Sequence, residues 1–166
     1  MFSYHTTLNQ IIDKALPALR QLNEAELSQR PAPGKWSKKE ILGHLIDSAY
    51  NNHQRFLRAE KQGNLIFQGY DQRDWVEKND YQNRALGEVL DTWATANRHL
   101  SVLIAGLSGE LLQQESRDHN FHLICMNLLS EGELTSLSYL IWDYLFHLEH
   151  HLAQLIPGYV KVNASF

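Results

Sequence analysis

Apolar residues recur at three- and four-residue steps in four stretches of the chain, separated by segments rich in Gly, Pro or polar residues. Such steps gather side chains on one helical face, so the pattern predicts an all-α protein. In the first stretch, 3 to 28, Leu8, Ile11, Ile12, Ala15, Leu16, Leu19 and Leu22 form one stripe interrupted by Pro17. An interior proline removes a hydrogen bond and costs about 3 kcal/mol, which predicts a kink there or a shorter first helix. The second helix has the clearest start signal, Ser37 as N-cap with Glu40 three positions on as a capping box, and Trp36 and Ile41 placed as a hydrophobic staple. Ile41, Leu42, Leu45, Ile46, Ala49, Phe56 and Leu57 make its stripe, and Gly63 ends it. A third helix spans 83 to 107, with Leu86, Val89, Leu90, Trp93, Ala96, Leu100, Leu103, Ile104 and Leu107 on one face. The fourth, 136 to 155, follows Thr135 or Ser136 as its cap and stops before Pro157-Gly158.

Residues 108 to 134 hold no sustained period and are assigned as an extended connection with a helical turn. GYDQRDW, 69 to 75, reads as a loop whose Tyr70, Asp71, Arg73, Asp74 and Trp75 are available to line a pocket mouth. Four helices of this length predict a four-helix bundle. A short loop joins the first two, and segments of about twenty residues after the second and third can cross the bundle, which permits an up-down-down-up topology. In that arrangement the second and fourth helices run antiparallel.

The fourth helix carries a second apolar stripe, with Trp142, Phe146, Ala153 and Tyr139, that needs cover; it predicts a homodimer. At 166 residues the chain is most simply one domain, 1–166. A formal charge of -4 with 20% charged residues gives no reason to expect a nucleic-acid partner. The lone Cys125 cannot form an internal disulfide and the N-terminus resembles no signal peptide, so a cytoplasmic location is the default. No uncharged apolar run reaches the ~18 residues that suggest a membrane span.

The candidate chemistry lies in three histidines. His147 and His151 are four residues apart, an advance of about 400° that projects both rings from one face. His44, near the start of the antiparallel second helix, can complete a three-imidazole site. Such a set suits Zn²⁺, Ni²⁺ or Fe²⁺ and leaves a coordination position open. The competing reading is that nine histidines produce such a pair by chance and that His44 is an interfacial polar residue. Glu149, about 200° around the helix from His147, points away from the site, so HLEHH is not the metalloprotease motif. His150 is read as a surface or neighbouring residue. Asp47 and Asp143 are placed to accept the free N–H of a ligand imidazole, or else are solvated charges. His119 and His122 form a weaker second pair without a third partner, and Cys125 reads as a small buried apolar residue.

PAPGKWSKKEILGHLIDS together with HLEHHLAQL resembles the DinB/YfiT-like group of four-helix metalloproteins, over nearly the whole chain. The resemblance implies an up-down-down-up bundle, frequent dimers, and a divalent metal on His44, His147 and His151. The connection before the last helix departs from the group in being longer and more apolar. The leading expectation is a metal-dependent enzyme that activates a small-molecule thiol or water toward a small-molecule substrate, as a thiol S-transferase would. The alternatives are a metal-dependent hydrolase and a non-catalytic metal-binding stress-response protein.

Overall fold

Four long helices form the frame in a computed structural model that describes residues 3–162. The first, α1, spans Tyr4–Leu19 and buries Leu8, Ile11, Ile12, Ala15 and Leu19, the stripe expected of it. Pro17 lies in its last turn, and the chain leaves the helix two residues later. The expected stretch of 3 to 28 is therefore divided: Asn23 starts a separate short helix, α2 (Glu24–Ser28), its side chain accepting from the Ala25 and Glu26 backbone N–H groups.

The longest helix, α3 (Lys38–Gln62), begins on the predicted capping box, in which the Ser37 and Glu40 side chains each accept from the other residue's backbone N–H. It ends at Gly63, whose φ of 69° is the left-handed conformation that glycine adopts without a Cβ clash. After it come α4 (Gln72–Lys78) and a 3₁₀ turn at Tyr81–Asn83, then α5 (Leu86–Gly106). The segment assigned as an extended connection is more structured than expected. It contains α6 (Gly109–Gln113), β1 (Glu115–Ser116) and α7 (Phe121–Ile124), and its first part pairs with β2 (Thr135–Ser136) in a two-residue antiparallel ladder. The last helix, α8, spans Leu137–Leu155.

Side-chain contacts fix the directions. Arg98 bonds Asp13, Arg20 bonds Asp91, and Ser101 bonds the His5 carbonyl, so α5 runs antiparallel to α1. Lys39 near the start of α3 bonds the Arg84 carbonyl just before α5, and His53 stacks on His99 further along, so those two helices are parallel. His44 meets His147 and Phe56 meets Tyr144, which sets α8 antiparallel to α3. The topology is up, down, down, up. Trp93, Phe56, Phe121 and the buried leucines fill the centre.

Two crossovers stitch one end of the bundle. Asn120 makes a pair of hydrogen bonds with the Phe67 backbone, at 3.0 and 2.7 Å, while the Leu65 N–H donates to the Asp118 carbonyl. These partners lie more than fifty residues apart and leave no local periodic trace. They hold α7 over the groove between α3 and α8, where its Ile124 and the following Cys125 form part of a pocket wall.

Candidate metal centre

Antiparallel packing brings the second turn of α3 beside the last turns of α8, and the three expected histidines meet there. One ring nitrogen from each of His44, His147 and His151 lies within 4.8 Å of the other two. The Nε2 atoms of His44 and His147 are 3.0 Å apart. Two imidazole lone pairs at that distance repel unless a proton or a cation lies between them. Two nitrogens on one tetrahedral Zn²⁺ would stand about 3.3 Å apart, so the pair is already spaced for a shared ion.

Electrostatics keeps the rings in the form a metal binds. Burial pushes His44 down to about 4, with the neighbouring His151 adding to the shift, and His147 and His151 are lowered chiefly by burial as well. Neutral imidazole is thus the resident state near neutral pH, and it is the ligating one. His151 is oriented by a 2.9 Å contact between its Nδ1 and Gln154 Oε1, which directs Nε2 inward. His44 Nδ1 is buried with no hydrogen-bond partner, a departure from the usual support of a ligating histidine. Its ring is held instead by Trp36, 5.3 Å away and tilted by 31°.

The carboxylates expected to steady these rings do other work. Asp47 accepts from Tyr81 Oη at 2.7 Å and Asn79 Nδ2 at 3.0 Å, which ties α3 to the turn after α4. Asp143 accepts from the backbone N–H groups of Met126 and Asn127 and from Asn127 Nδ2, and so anchors the connection before α8. Neither bonds an imidazole, because spacing on one helix does not reveal partners arriving from loops far along the chain. Glu149 does turn away from the site: it is fully buried and accepts from Tyr159 Oη and the Val162 N–H.

The other candidates resolve into structural roles. His119 places Nε2 on the Glu133 carbonyl and accepts the Phe121 N–H at Nδ1, which uses both nitrogens and removes it as a ligand. Cys125 is buried, and burial with the nearby Asp143 charge pushes its thiol well up, the opposite of a reactive thiolate. In the 69 to 75 segment, Tyr70 lines the pocket, Asp71 caps α4, Asp74 pairs with Lys78, and Trp75 packs on Tyr70. His150 lies at the pocket edge beside His151, its Nε2 3.0 Å from Gln154 Nε2.

The three imidazoles form one wall of a pocket of about 360 Å³ between α3 and α8, with Leu140 and Tyr144 also lining it. On α3 the wall continues through Ser48, Asn52 and Arg55. Asn52 and Arg55 were not among the candidates the sequence offered, although their spacing from His44 is helical.

A profile of the DinB superfamily matches residues 7–155. Among curated relatives, a protein of Oceanobacillus iheyensis named "Putative metal-dependent hydrolase" is 26% identical over 153 residues, covering 89% of this chain and 81% of the relative. A second from the same organism, named likewise, is 27% identical over 138 residues, covering 82% and 72%. A Bacillus cereus protein of that name is 24% identical over 146 residues, covering 88% and 78%. Among solved structures, YfiT from Bacillus subtilis, described as "a probable metal-dependent hydrolase with an unusual four-helix bundle topology", superposes with a TM-score of 0.72 at 18% identity, covering 92% of this chain and 81% of its own.

Proposed function

We propose that this chain, which belongs to the DinB superfamily, is a metal-dependent hydrolase of small molecules that holds one divalent cation on His44, His147 and His151. The observation that carries the reading is the convergence of three neutral imidazoles on one point in the wall of a pocket. A cation on three protein ligands keeps an open position, where it supplies Lewis acidity and lowers the pKa of water. The protein's part is positional. His147 and His151 present two nitrogens from adjacent turns, and His44 crosses from α3 to complete the set. Ser48 and Asn52 offer hydrogen-bonding groups along the same wall, placed to orient a substrate carbonyl toward the imidazoles. Tyr144, Leu140 and Trp36 narrow the volume open to bulk water.

Hydrolysis moves ahead of thiol transfer because the relatives are named for it. Thiol transfer, the leading expectation of the sequence, has no such support. The discriminating assay uses Zn²⁺-, Ni²⁺- and Fe²⁺-loaded protein against a panel of esters and amides, with and without glutathione or bacillithiol. Turnover without thiol that disappears on chelation is expected. Turnover only with thiol would replace hydrolysis by transfer. If neither occurs while His44→Ala lowers the melting temperature of the metal-loaded protein, the non-catalytic metal-binding reading becomes the better account.

A further inference from the structure

The pocket that opens on the imidazoles extends along α3 to a buried cation of the chain's own. His44, Ser48, Asn52 and Arg55 follow one another at steps of four, four and three residues and all line the pocket. They form a row on one helix face, with Arg55 about 16 Å from His44 along the axis.

Arg55 is 7% exposed, and among the described residues it has no carboxylate oxygen within 4 Å. A guanidinium carries five N–H donors. Nη1 reaches Asn52 Oδ1 at 3.4 Å and Nη2 reaches the Gln68 carbonyl at 3.3 Å, both long, while the buried Nε has no hydrogen-bond partner. The pocket's carboxylate, on Asp143, is already occupied by the Met126 and Asn127 groups. A buried charge with unfilled donors is unfavourable until an acceptor arrives.

We infer that Arg55 is an anion-recognition residue, which receives the carboxylate of a small organic acid lying along the α3 wall. The planar fork of the guanidinium matches a carboxylate with two parallel bonds, and Asn52 beside it adds a further polar contact. One cation, with the Asp143 charge in the same pocket, favours a monoanion over a phosphate dianion. The apolar rim, Leu123, Ile124 and Met126, suits a hydrocarbon stem. The substrate would then be an acid whose hydrolysable ester or amide reaches toward the imidazoles. That last step rests on the hydrolase reading; the anion subsite does not.

The test titrates hexanoate and its uncharged counterpart hexanamide into the full chain by calorimetry, once loaded with Zn²⁺ and once stripped by chelator. Hexanoate should bind at least tenfold more tightly than hexanamide in both states. In Arg55→Met the preference should fall below twofold with hexanamide binding unchanged, and in Arg55→Lys it should be intermediate. Hexanoate, and not hexanamide, should also shift the Arg55 Nε–H resonance in ¹⁵N NMR of the unsubstituted protein, a readout that needs no variant to fold. Equal binding of the two probes, or a preference that survives Arg55→Met, would overturn the inference. So would a preference lost with the metal, since the carboxylate would then have been on the cation. Failure to take up Zn²⁺ at all would remove the hydrolase reading while the comparison of probes on the stripped chain still stood.

Discussion

Burial sets the state of Asp47. Its carboxyl, 2% exposed, is pushed up to about 6 by desolvation, against the opposing hydrogen bonds from Tyr81 and Asn79. Both bonds fall on Oδ1, and Oδ2 has no hydrogen-bond partner, which leaves the ionised form poorly served. A carboxyl whose folded pKa is raised contributes stability below its unfolded pKa, and that contribution is lost as pH rises through the folded value. Asp47→Asn should therefore gain on the unsubstituted protein between pH 4 and 8, by on the order of 3 kcal/mol in urea unfolding. The lowered histidines act in the opposite direction, losing stability as pH falls from 6.5 toward the folded values, but they are common to both proteins and cancel in the difference. A constant difference across that range would contradict the assignment. At this scale the sequence was half legible. The convergence of the three histidines follows from helical spacing and the antiparallel expectation, whereas the partners of Asp47 and Asp143 come from turns and loops that no periodicity reports.

Among the elements, α3 matters most because it carries His44 in its second turn and Arg55 in its fifth. Its start and end were readable since both signals are local, a capping box and a left-handed glycine. Element α7 was not, because what fixes it and its flanks is distant: Asn120 on Phe67, Asp118 on Leu65, Asp143 on residues 126 and 127; α4 and α6 start on local caps, Asp71 and Ser108, but are too short to show a period. Gly43, beside His44, exposes a further constraint. A Cβ there would stand 2.0 to 2.7 Å from the Tyr81 ring, well inside contact distance. Gly43→Ala should push the 3₁₀ turn off α3, loosen the Tyr81–Asp47 bond and destabilise by about 1–3 kcal/mol. Unchanged unfolding by urea would mean that the turn is not pressed against the helix as described. Ser37→Ala, which removes the capping bond to Glu40, should cost about 1 kcal/mol by the same measurement.

For the whole molecule, the four-helix architecture follows from amphipathic stripes, and its unusual direction pattern from two long crossovers. No helix among the described residues is long and apolar enough to cross a membrane. The homodimer expected from the second stripe of α8 stays a proposal, with less exposed surface behind it than the stripe suggested. Tyr139 stacks near Phe121 of α7, and Lys161 lies 4.5 Å over the Phe146 ring, so the chain itself covers part of that face. Light scattering at micromolar concentration is expected to give the mass of a pair. A mass of 19.2 kDa alone would show that this intramolecular cover suffices.

The hydrolase reading depends on two segments a hundred residues apart sharing one cation. Elemental analysis of protein purified without a metal-affinity tag, set beside His44→Ala, His147→Ala and His151→Ala, tests this most directly. The account predicts close to one divalent ion per chain in the unsubstituted protein and loss of most of it in each variant, with the helical signal intact. Metal-free protein that takes up no Zn²⁺, Ni²⁺ or Fe²⁺ on incubation, or variants that retain the ion in full, would contradict it.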